Sequence, residues 1–143
     1  MDDLDKTLIR ELANDARTSV STLARRLGLA RTTVQARLEK LERSGVIAGY
    51  TVRLGETTRL NRIKATRLIQ FDPRAGPHVV QRLKSMPEVE VAHTASGRFD
   101  LVLQLATSNT ERLDMVLDEI GAIKGVQSSE SLIHLSTKIN RAI

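Results

Sequence analysis

The sequence contains no cysteine and no tryptophan, and aromatic residues make up 2% of its 143 residues. Without cysteine the chain can form neither a disulfide framework nor a thiolate metal site, as is typical of a reducing cytoplasm. So few aromatic side chains cannot supply the stacking platforms on which single-strand nucleic-acid binders hold bases. No stretch approaches the ~18 apolar residues of a membrane span, and the acidic start, MDDLDK, lacks the apolar core of a secretory signal. We therefore expect a protein of the cytoplasm that does not enter a membrane.

The motifs of the common catalytic sites are also missing. We find no nucleophile elbow, no glycine loop for phosphate and no cluster of metal-ligating side chains. The three histidines, His78, His93 and His134, lie far apart in the sequence, and none belongs to the i, i+4 pair of a helical zinc site. We therefore expect neither enzyme activity nor a cofactor or metal, and we assign the histidines structural roles.

Positive charge is concentrated in one short segment. The chain has a net charge of +5, and residues 17–43 alone carry seven Lys/Arg against two Asp/Glu. Residues 1–16 carry two against five and are acidic. A basic face confined to one segment is expected of an element that binds phosphate groups, whereas a solvated surface usually mixes both signs. On charge alone, the alternative is an arginine-rich helix pair that merely keeps the chain in solution.

Apolar residues at helical spacing predict three short helices in the first third of the chain. The first spans 3–13, with one of the first two aspartates as N-cap. The second opens at Ser19, whose hydroxyl can cap it, and ends at Gly28. The third spans 30–43 and follows a tight glycine-containing turn, which is the helix-turn-helix arrangement. In that arrangement the last helix lies in the major groove with its amino-terminal residues toward the base edges.

Nine residues of the second and third helices are candidates for DNA contact. Those near the start of the third helix are expected to face base edges, and the arginines of the second helix to contact phosphates, which positions the protein. Of Arg25 and Arg26 we favour one as the phosphate contact. Arg37 has an alternative role, because it can pair with a glutamate and hold the helix. The full set is Arg25, Arg26, Arg31, Thr32, Thr33, Gln35, Ala36, Arg37 and Lys40.

The segment after the third helix marks the end of this unit. Residues 46–54 are β-rich and predict a strand, which gives a winged-type helix-turn-helix. Residues 55–62 are polar and lack apolar periodicity, so we place a linker there. We therefore divide the chain into a DNA-binding domain at 1–54 and a second domain at 63–143.

The second domain alternates strand and helix periods. Strands are predicted at 63–71, 89–95, 101–106 and 126–136, with one helix after the first and another, capped by Ser108, before the last. The resulting order, βαββαβ, is that of a ferredoxin-like sandwich with one antiparallel sheet and helices on one side. The whole chain is thus expected to be α+β.

Two segments resemble one known family. Residues 19–50, SVSTLARRLGLARTTVQARLEKLERSGVIAGY, resemble the helix-turn-helix of the leucine-responsive and asparagine-responsive (Lrp/AsnC) regulators. The βαββαβ half, with its Gly-x-x-Asp turn at Gly97 and Asp100, resembles their ligand-sensing and oligomerisation domain. The resemblance implies a sequence-specific transcription regulator that binds double-stranded DNA. It further implies homodimers that pair their sheets and often assemble into octamers or similar discs, with an amino acid or related metabolite bound between dimers.

The resemblance also implies an effector site, whose candidate residues are Thr94, Ser96, Gly97, Arg98, Asp100, Ser129 and Ser131. An amino acid needs an acidic or carbonyl partner for its ammonium group, and amides or hydroxyls for its carboxylate. Taken alone, Gly97 is more often a turn glycine that needs a positive φ than a ligand contact, and Asp100 can likewise only close that turn. The chain departs from the family at Ala30, where a serine often caps the third helix, so Thr32 or Thr33 would cap instead.

An enzyme is the alternative of a different class. Some proteins that resemble this family are tetrapyrrole (siroheme) decarboxylases, with histidine and arginine around the same cleft. His93 and His134 are the candidate general acids of that alternative. The basic third helix, which a decarboxylase does not need, favours the regulator.

Overall fold

A computed structural model describes residues 1–59 and 62–141 of the chain. Their contacts separate most of them into two units, Met1–Arg53 and Leu54–Asn140, each with a hydrophobic core of its own. The first unit is helical and the second contains the sheet, as the predicted α+β organisation requires.

Part of the predicted linker forms a short helix, which follows the three helices of the first unit and is numbered α4 (Glu56–Arg59). Residues 60 and 61 of that linker, and residues 142 and 143 of the predicted second domain, lie outside the described residues. None of the helices in the described ranges has the length and apolarity that a bilayer crossing requires.

Three helices make up the first unit, and they are α1 (Asp3–Asn14), α2 (Val20–Leu27) and α3 (Arg31–Arg43). Asp2 caps α1 by accepting a hydrogen bond from the amide of Asp5 at 2.9 Å. Ser19 caps α2 through the amide of Thr22 at 3.1 Å. Each cap satisfies an amide that the first helical turn leaves without a partner. The predicted helices are confirmed to within about one residue at each end.

The turn between α2 and α3 depends on Gly28. Its φ of 66° lies in the left-handed region, and its amide donates to carbonyls at the end of α2. Ala30 occupies the N-cap of α3 and makes no side-chain capping bond. The expectation that Thr32 or Thr33 caps α3 is wrong, because both lie inside its first turn, beyond the N-cap position. The start of α3 therefore lacks a side-chain acceptor for its amides.

The core of the first unit takes one fully buried residue from each helix. Leu8, Leu23 and Val34 are 0% exposed and pack together. Burying each such side chain stabilises the fold by about 1.5–3 kcal/mol. Because Val34 faces inward, Thr32 and Ala36 on the same helix face outward and are exposed.

Residues 46–54 do not form the predicted strand. Their backbone is irregular, and none of the four strands that the structure describes pairs with them. A strand needs a neighbour to complete its ladder of hydrogen bonds, and this segment has none among the described residues. Tyr50 instead holds the segment to α3, because its hydroxyl donates to Glu42 at 2.8 Å. The strand prediction is therefore wrong for the single chain.

The second unit contains a four-stranded antiparallel sheet with the strand order β2-β3-β1-β4. Its strands and helices are β1 (Ile63–Phe71), α5 (Gly76–Lys84), β2 (Val89–Thr94), β3 (Leu101–Thr107), α6 (Thr110–Gly121) and β4 (Val126–Ile133). The βαββαβ succession and this strand order are those of a ferredoxin-like sandwich. The predicted fold class is therefore confirmed.

One face of the sheet is covered by α5 and α6. Ala65 and Ile69 of β1 face these helices and are fully buried together with Val79 of α5 and Val116 of α6. Arg67 lies between Ala65 and Ile69 on the same face, since alternate residues of a strand share a face. A charged side chain thus interrupts the apolar stripe of a central strand.

Three local predictions in this unit are wrong. Asn109, and not Ser108, caps α6, because its side-chain oxygen accepts an amide hydrogen bond of the first turn at 2.7 Å. The register of β2 shifts between Val89 and Val91, so a bulge breaks the alternation predicted for this strand. The last strand is three residues shorter than predicted and ends at Ile133.

We predict that Gly125→Ala destabilises the second unit. Gly125 has a φ of 101°, and a Cβ placed on it would lie 2.2 Å from the Cβ of Ala75. Backbone strain and steric overlap together should lower the free energy of unfolding by on the order of 3 kcal/mol. Urea denaturation measures this loss. Gly97→Ala is the matched control, because Gly97 has a φ of 137° but nothing within 4 Å of its Cβ position. It should lose about 1 kcal/mol, and equal losses in the two variants would contradict the steric argument.

Candidate nucleic-acid interface and effector site

The exposed face of α3 borders an open groove of about 500 Å³ in the first unit. Its lining includes four of the predicted DNA-contacting residues, Arg31, Thr32, Gln35 and Ala36. They meet there because residues four apart, such as Arg31 and Gln35, lie on one helix face. Thr33 and Lys40 are exposed on the same helix but do not line the groove.

Two residues of this groove, Val20 and Glu39, were not predicted from the sequence. Val20 is the first residue of α2 and adds an apolar wall. Glu39 lies one turn beyond Gln35, whose Nε2 donates to Oε1 of Glu39 at 3.1 Å. The i, i+4 spacing of these residues on an exposed helix face was the sequence signal for Glu39. Its carboxylate gives the groove, whose lining contains the cation Arg31, an acceptor for the amino groups of bases.

Arg37 connects α3 to the start of α1. Its Nη1 donates to a carboxylate oxygen of Asp2 and, at 3.3 Å, to Oδ1 of Asp5. The hydrogen bond from Arg37 lowers the pKa of Asp2 to about 2, and the same bond raises the pKa of Arg37. The contacts of Arg37 are thus those of the helix-holding alternative, with aspartates in place of a glutamate.

Of the two arginines on α2, only Arg26 is paired. Its Nη1 lies 2.9 Å from Oε2 of Glu11 on α1. Arg25, Arg31 and Lys40 have no ion-pair partner among the residues that the structure describes. Acidic residues of α1 therefore neutralise part of the basic segment and leave three of its predicted cations available.

The candidate effector residues lie on both outer strands of the sheet and in the turn between β2 and β3. Thr94 of β2 and Ser129 of β4 belong to one row across the sheet, with Leu101 and Ile69 between them. Three inter-strand spacings separate Thr94 from Ser129, a distance on the order of 14 Å. One chain therefore does not bring all seven candidates together.

In the turn between β2 and β3, both charged candidate effector residues, Arg98 and Asp100, make contacts within the chain. Gly97 has a φ of 137°, in the left-handed region. Oδ2 of Asp100 accepts a hydrogen bond from the amide of Phe71 at 3.0 Å, which ties the turn to β1. A guanidinium nitrogen of Arg98 lies 3.6 Å from a carboxylate oxygen of Glu130. Gly97 and Asp100 thus have the geometry expected of turn-forming residues, whether or not they also contact an effector.

The serine candidates differ in what they contact. Ser131 of β4 accepts a hydrogen bond from Nη1 of Arg67. Ser129, on the same face of β4, and Ser96, in the turn between β2 and β3, are exposed. Arg67 was not among the predicted site residues, because the period of β1 was taken from its apolar positions. The sequence signal that identifies Arg67 is a charged residue at an inward position of that strand.

The histidines of the enzyme alternative do not lie in one site. His93 is on β2 and His134 follows β4, and these strands form opposite edges of the sheet. Nε2 of His134 is hydrogen-bonded to Oγ1 of Thr66 at 2.8 Å, whereas His78 and His93 are exposed. Within one chain the two candidate acids therefore cannot act on the same atom of a substrate.

Comparison with known proteins gives matches along most of the chain. Residues 1–42 match the AsnC-type helix-turn-helix domain, and residues 64–143 match the Lrp/AsnC ligand binding domain. An uncharacterized HTH-type transcriptional regulator from Pyrococcus horikoshii is 31% identical over 141 residues, which cover 96% of this chain and 94% of that protein.

Two solved structures have the same fold. The structure of Escherichia coli AsnC superposes with a TM-score of 0.90 at 26% identity, covering 100% of this chain and 97% of that one. A transcriptional regulator of Neisseria meningitidis, solved as a complex with L-Met, superposes with a TM-score of 0.88 at 22% identity, covering 98% and 93%. Because the second structure is only 22% identical in sequence, its similarity shows a shared fold alone.

We predict that Arg37→Met removes part of the acid sensitivity of the first unit. Because the folded pKa of Asp2 is about 2 and its usual value is 3.8, the ionised form stabilises the fold above pH 4. This contribution is lost as the pH falls from 4 toward 2. In Arg37→Met the pKa of Asp2 returns toward its usual value, so the melting temperature should fall less steeply in that window. Arg31→Met, which removes a cation without a carboxylate partner, should keep the slope of the original chain, and identical slopes in all three proteins would refute the assignment.

Proposed function

The chain belongs to the Lrp/AsnC family of transcription regulators, and from this premise we propose that it binds specific sites on double-stranded DNA in response to a small metabolite. The proposed DNA-binding domain spans 1–54, and a linker follows at 55–62. The proposed effector-binding and oligomerisation domain spans 63–143. Membership of the family means that the chain is a transcription regulator with a DNA-binding and a ligand-binding domain. The residues through which each domain makes its contacts are our proposal.

The outward face of α3 carries the DNA-binding part of the proposal. Arg31 and Gln35 share a groove on this face, and both have side chains that can read bases. In the major groove an arginine can donate to two acceptors of guanine, and a glutamine can bind adenine with two hydrogen bonds. Thr32 and Ala36 complete the same face, where an apolar contact can recognise the methyl group of thymine. We propose that these four residues read base edges.

Phosphate contacts are proposed for the cations that the protein leaves unpaired. Arg25 and Lys40 are exposed and have no ion-pair partner in the described part of the chain, whereas Arg26 is held by Glu11. We therefore favour Arg25 over Arg26 as the phosphate contact of α2. The first turn of α3 has no side-chain cap, so its amides are suited to a phosphate oxygen as well.

Self-association is supported by apolar side chains that one chain leaves exposed. Val52 is 81% exposed in the segment after α3, and Val91 and Leu132 are 42% and 57% exposed on the sheet face that α5 and α6 do not cover. Burying such surface is the usual driving force for association. We propose that two copies pair through their sheets, and that dimers assemble further into an octamer or similar disc.

The effector is proposed to be an amino acid or a related metabolite. Support comes from the ligand-binding domain of the family and from the Neisseria relative, which was solved with L-Met. The proposed contacts are Thr94, Ser96, Gly97, Arg98, Asp100, Ser129 and Ser131. Measuring DNA binding of the purified protein with and without each amino acid tests this part, and an affinity unchanged by all of them would contradict it.

We predict that Arg25→Gln weakens DNA binding and lowers its salt dependence. Each phosphate contact that is lost reduces the slope of log affinity against log salt by about 1. Arg26→Gln is the matched control on the same helix, and its slope should change less because Glu11 already neutralises Arg26. Affinity is measured by fluorescence anisotropy at several salt concentrations, and a larger change in the control would reverse the assignment.

We also predict that Gln35→Ala relaxes the preference for one base pair. Losing two hydrogen bonds to a base removes roughly 1–3 kcal/mol of discrimination, while the affinity for unrelated DNA stays nearly constant. Lys40→Gln should instead weaken all sequences alike, because a phosphate contact carries no sequence information. Selection from randomised duplexes measures both effects. If Gln35→Ala selects the same sequence with the same stringency as the original chain, α3 does not read DNA in the proposed orientation.

A further inference from the structure

An arginine occupies a position of the second unit where the strand pattern predicts an apolar residue. Arg67 lies on the inward face of β1 between Ala65 and Ile69, which are fully buried. Its neighbour across the sheet on β3 is the fully buried Leu103, and its neighbour on β4 is Ser131. The residue is only partly buried, unlike its neighbours Ala65, Ile69 and Leu103.

The guanidinium of Arg67 is incompletely paired. Nη1 donates to Oγ of Ser131, and Nη2 lies 3.5 Å from the carbonyl oxygen of Leu117, at the limit of a hydrogen bond. Nε is buried without a hydrogen-bond partner among the described residues. Burial lowers the pKa of Arg67, which the charge of Asp118 opposes, although no carboxylate of the described residues lies within ion-pair distance.

A cation without a counter-ion is costly at such a position. Removing a charge from water is unfavourable unless an opposite charge or a full set of hydrogen bonds replaces the lost hydration. An apolar residue would fill the same space between Ala65 and Ile69 without that cost. The bonds to Ser131 and Leu117 leave Nε without a partner, and the charge of Asp118 does not fully offset the effect of burial, so a reversibly bound anion would supply the compensation that the fold leaves incomplete.

We propose that Arg67 anchors the effector through a negatively charged group, and that this group is a carboxylate. The inference rests on the proposed sensing function and deepens it by naming the residue that binds the carboxylate of the ligand. A guanidinium donates charge-assisted hydrogen bonds to a carboxylate, which are about twice as strong as neutral ones. The Ser131 hydroxyl accepts from Arg67, so its own hydrogen can be donated to the carboxylate. Ser129 presents a second hydroxyl on the same face of β4.

The other charged candidates are less suited to this role. Arg98 already has the carboxylate of Glu130 within 3.6 Å. Asp100 repels a carboxylate and is engaged by the amide of Phe71. Arg67 is thus the cation that combines partial burial, an unsatisfied donor and neighbouring hydroxyls.

The test compares carboxylates with matched compounds that lack the charge. The full-length protein is titrated calorimetrically with the twenty amino acids, their 2-oxo acids and the corresponding amino alcohols, beginning with L-methionine and methioninol. We expect at least one acid to bind and its alcohol to fail. Arg67→Gln should weaken that acid by about 10- to 100-fold, the loss expected for hydrogen bonds to a charged group. Arg82→Gln, an exposed arginine of α5 in the same unit, is the matched control and should bind as the original chain does.

A second measurement keeps the test independent of whether Arg67→Gln folds well. If Arg67 is an anion anchor, Arg67→Leu should raise the melting temperature of the ligand-free protein by a few degrees, because it removes an uncompensated charge. A lower melting temperature together with unchanged acid binding would mean that Arg67 only ties β4 to α6, and the proposal would be overturned. Circular dichroism of both variants establishes that the fold is retained.

Three further results would also overturn the proposal. These are binding of carboxylate-free compounds only, no binding by any member of the panel, and a change of oligomeric mass in Arg67→Gln with unchanged acid affinity. The last would mean that a carboxylate of a second copy occupies the site. DNA binding of the original chain is measured in parallel. If the original chain does not bind DNA, the proposed function itself is wrong. If it binds DNA, the failure concerns only the proposed carboxylate site.

Discussion

The DNA-facing half of the molecule depends on the burial of Val34 against Leu8 and Leu23. This contact fixes the rotation of α3 about its axis and thereby decides which side chains remain in solvent. Each of these buried residues contributes about 1.5–3 kcal/mol, whereas an exposed ion pair such as the one between Arg26 and Glu11 contributes about 0–1 kcal/mol. Apolar packing therefore orients α3, and the ion pairs with α1 follow from that orientation. The outward position of Gln35 is a consequence of the inward position of Val34.

The ion pairs nevertheless decide how much of the basic charge is available to a ligand. Counting residues assigns a strong positive charge to the segment around α2 and α3, but α1 lies beside it and supplies the carboxylates that pair with Arg26 and Arg37. Arg37 faces two carboxylates and Arg26 one, so a phosphate would compete more readily for Arg26. Five cations of the segment have no ion-pair partner among the described residues, and they are Arg17, Arg25, Arg31, Lys40 and Arg43. The pairing with α1 thus reduces the accessible positive charge of the segment but leaves Arg31 unpaired in the groove that also contains Gln35.

Local sequence patterns predicted those parts of the structure that local forces determine. Helical periods, the Ser19 cap and the Gly28 turn located the three helices, and alternation located the four strands. Two failures are local, since the caps of α3 and α6 were assigned to the wrong neighbouring residues, and other failures involve partners far away in the chain or outside it. Residues 46–54 have strand-forming composition but no strand to pair with, and the pairing of Arg26 with Glu11 joins two helices whose contact no local pattern reveals. Arg67 was overlooked for the opposite reason, since an apolar period predicts where a strand runs but gives no account of the residue that breaks the period.

The distribution of the candidate effector residues constrains how a ligand can be held. Thr94 and Ser129 lie on opposite outer strands, separated by on the order of 14 Å, and an amino acid is too short to contact both. A carboxylate held beside Arg67 and Ser131 would therefore place the ligand on the β4 side, within reach of Ser129 and away from Thr94. Turn residues of the same chain also reach this side, because Asp100 contacts Phe71 of β1 and Arg98 lies beside Glu130 of β4. On the proposed function, a second copy would supply partners for the part of the ligand that these residues leave exposed, so ligand binding and assembly would be coupled, because each completes a surface that the other requires.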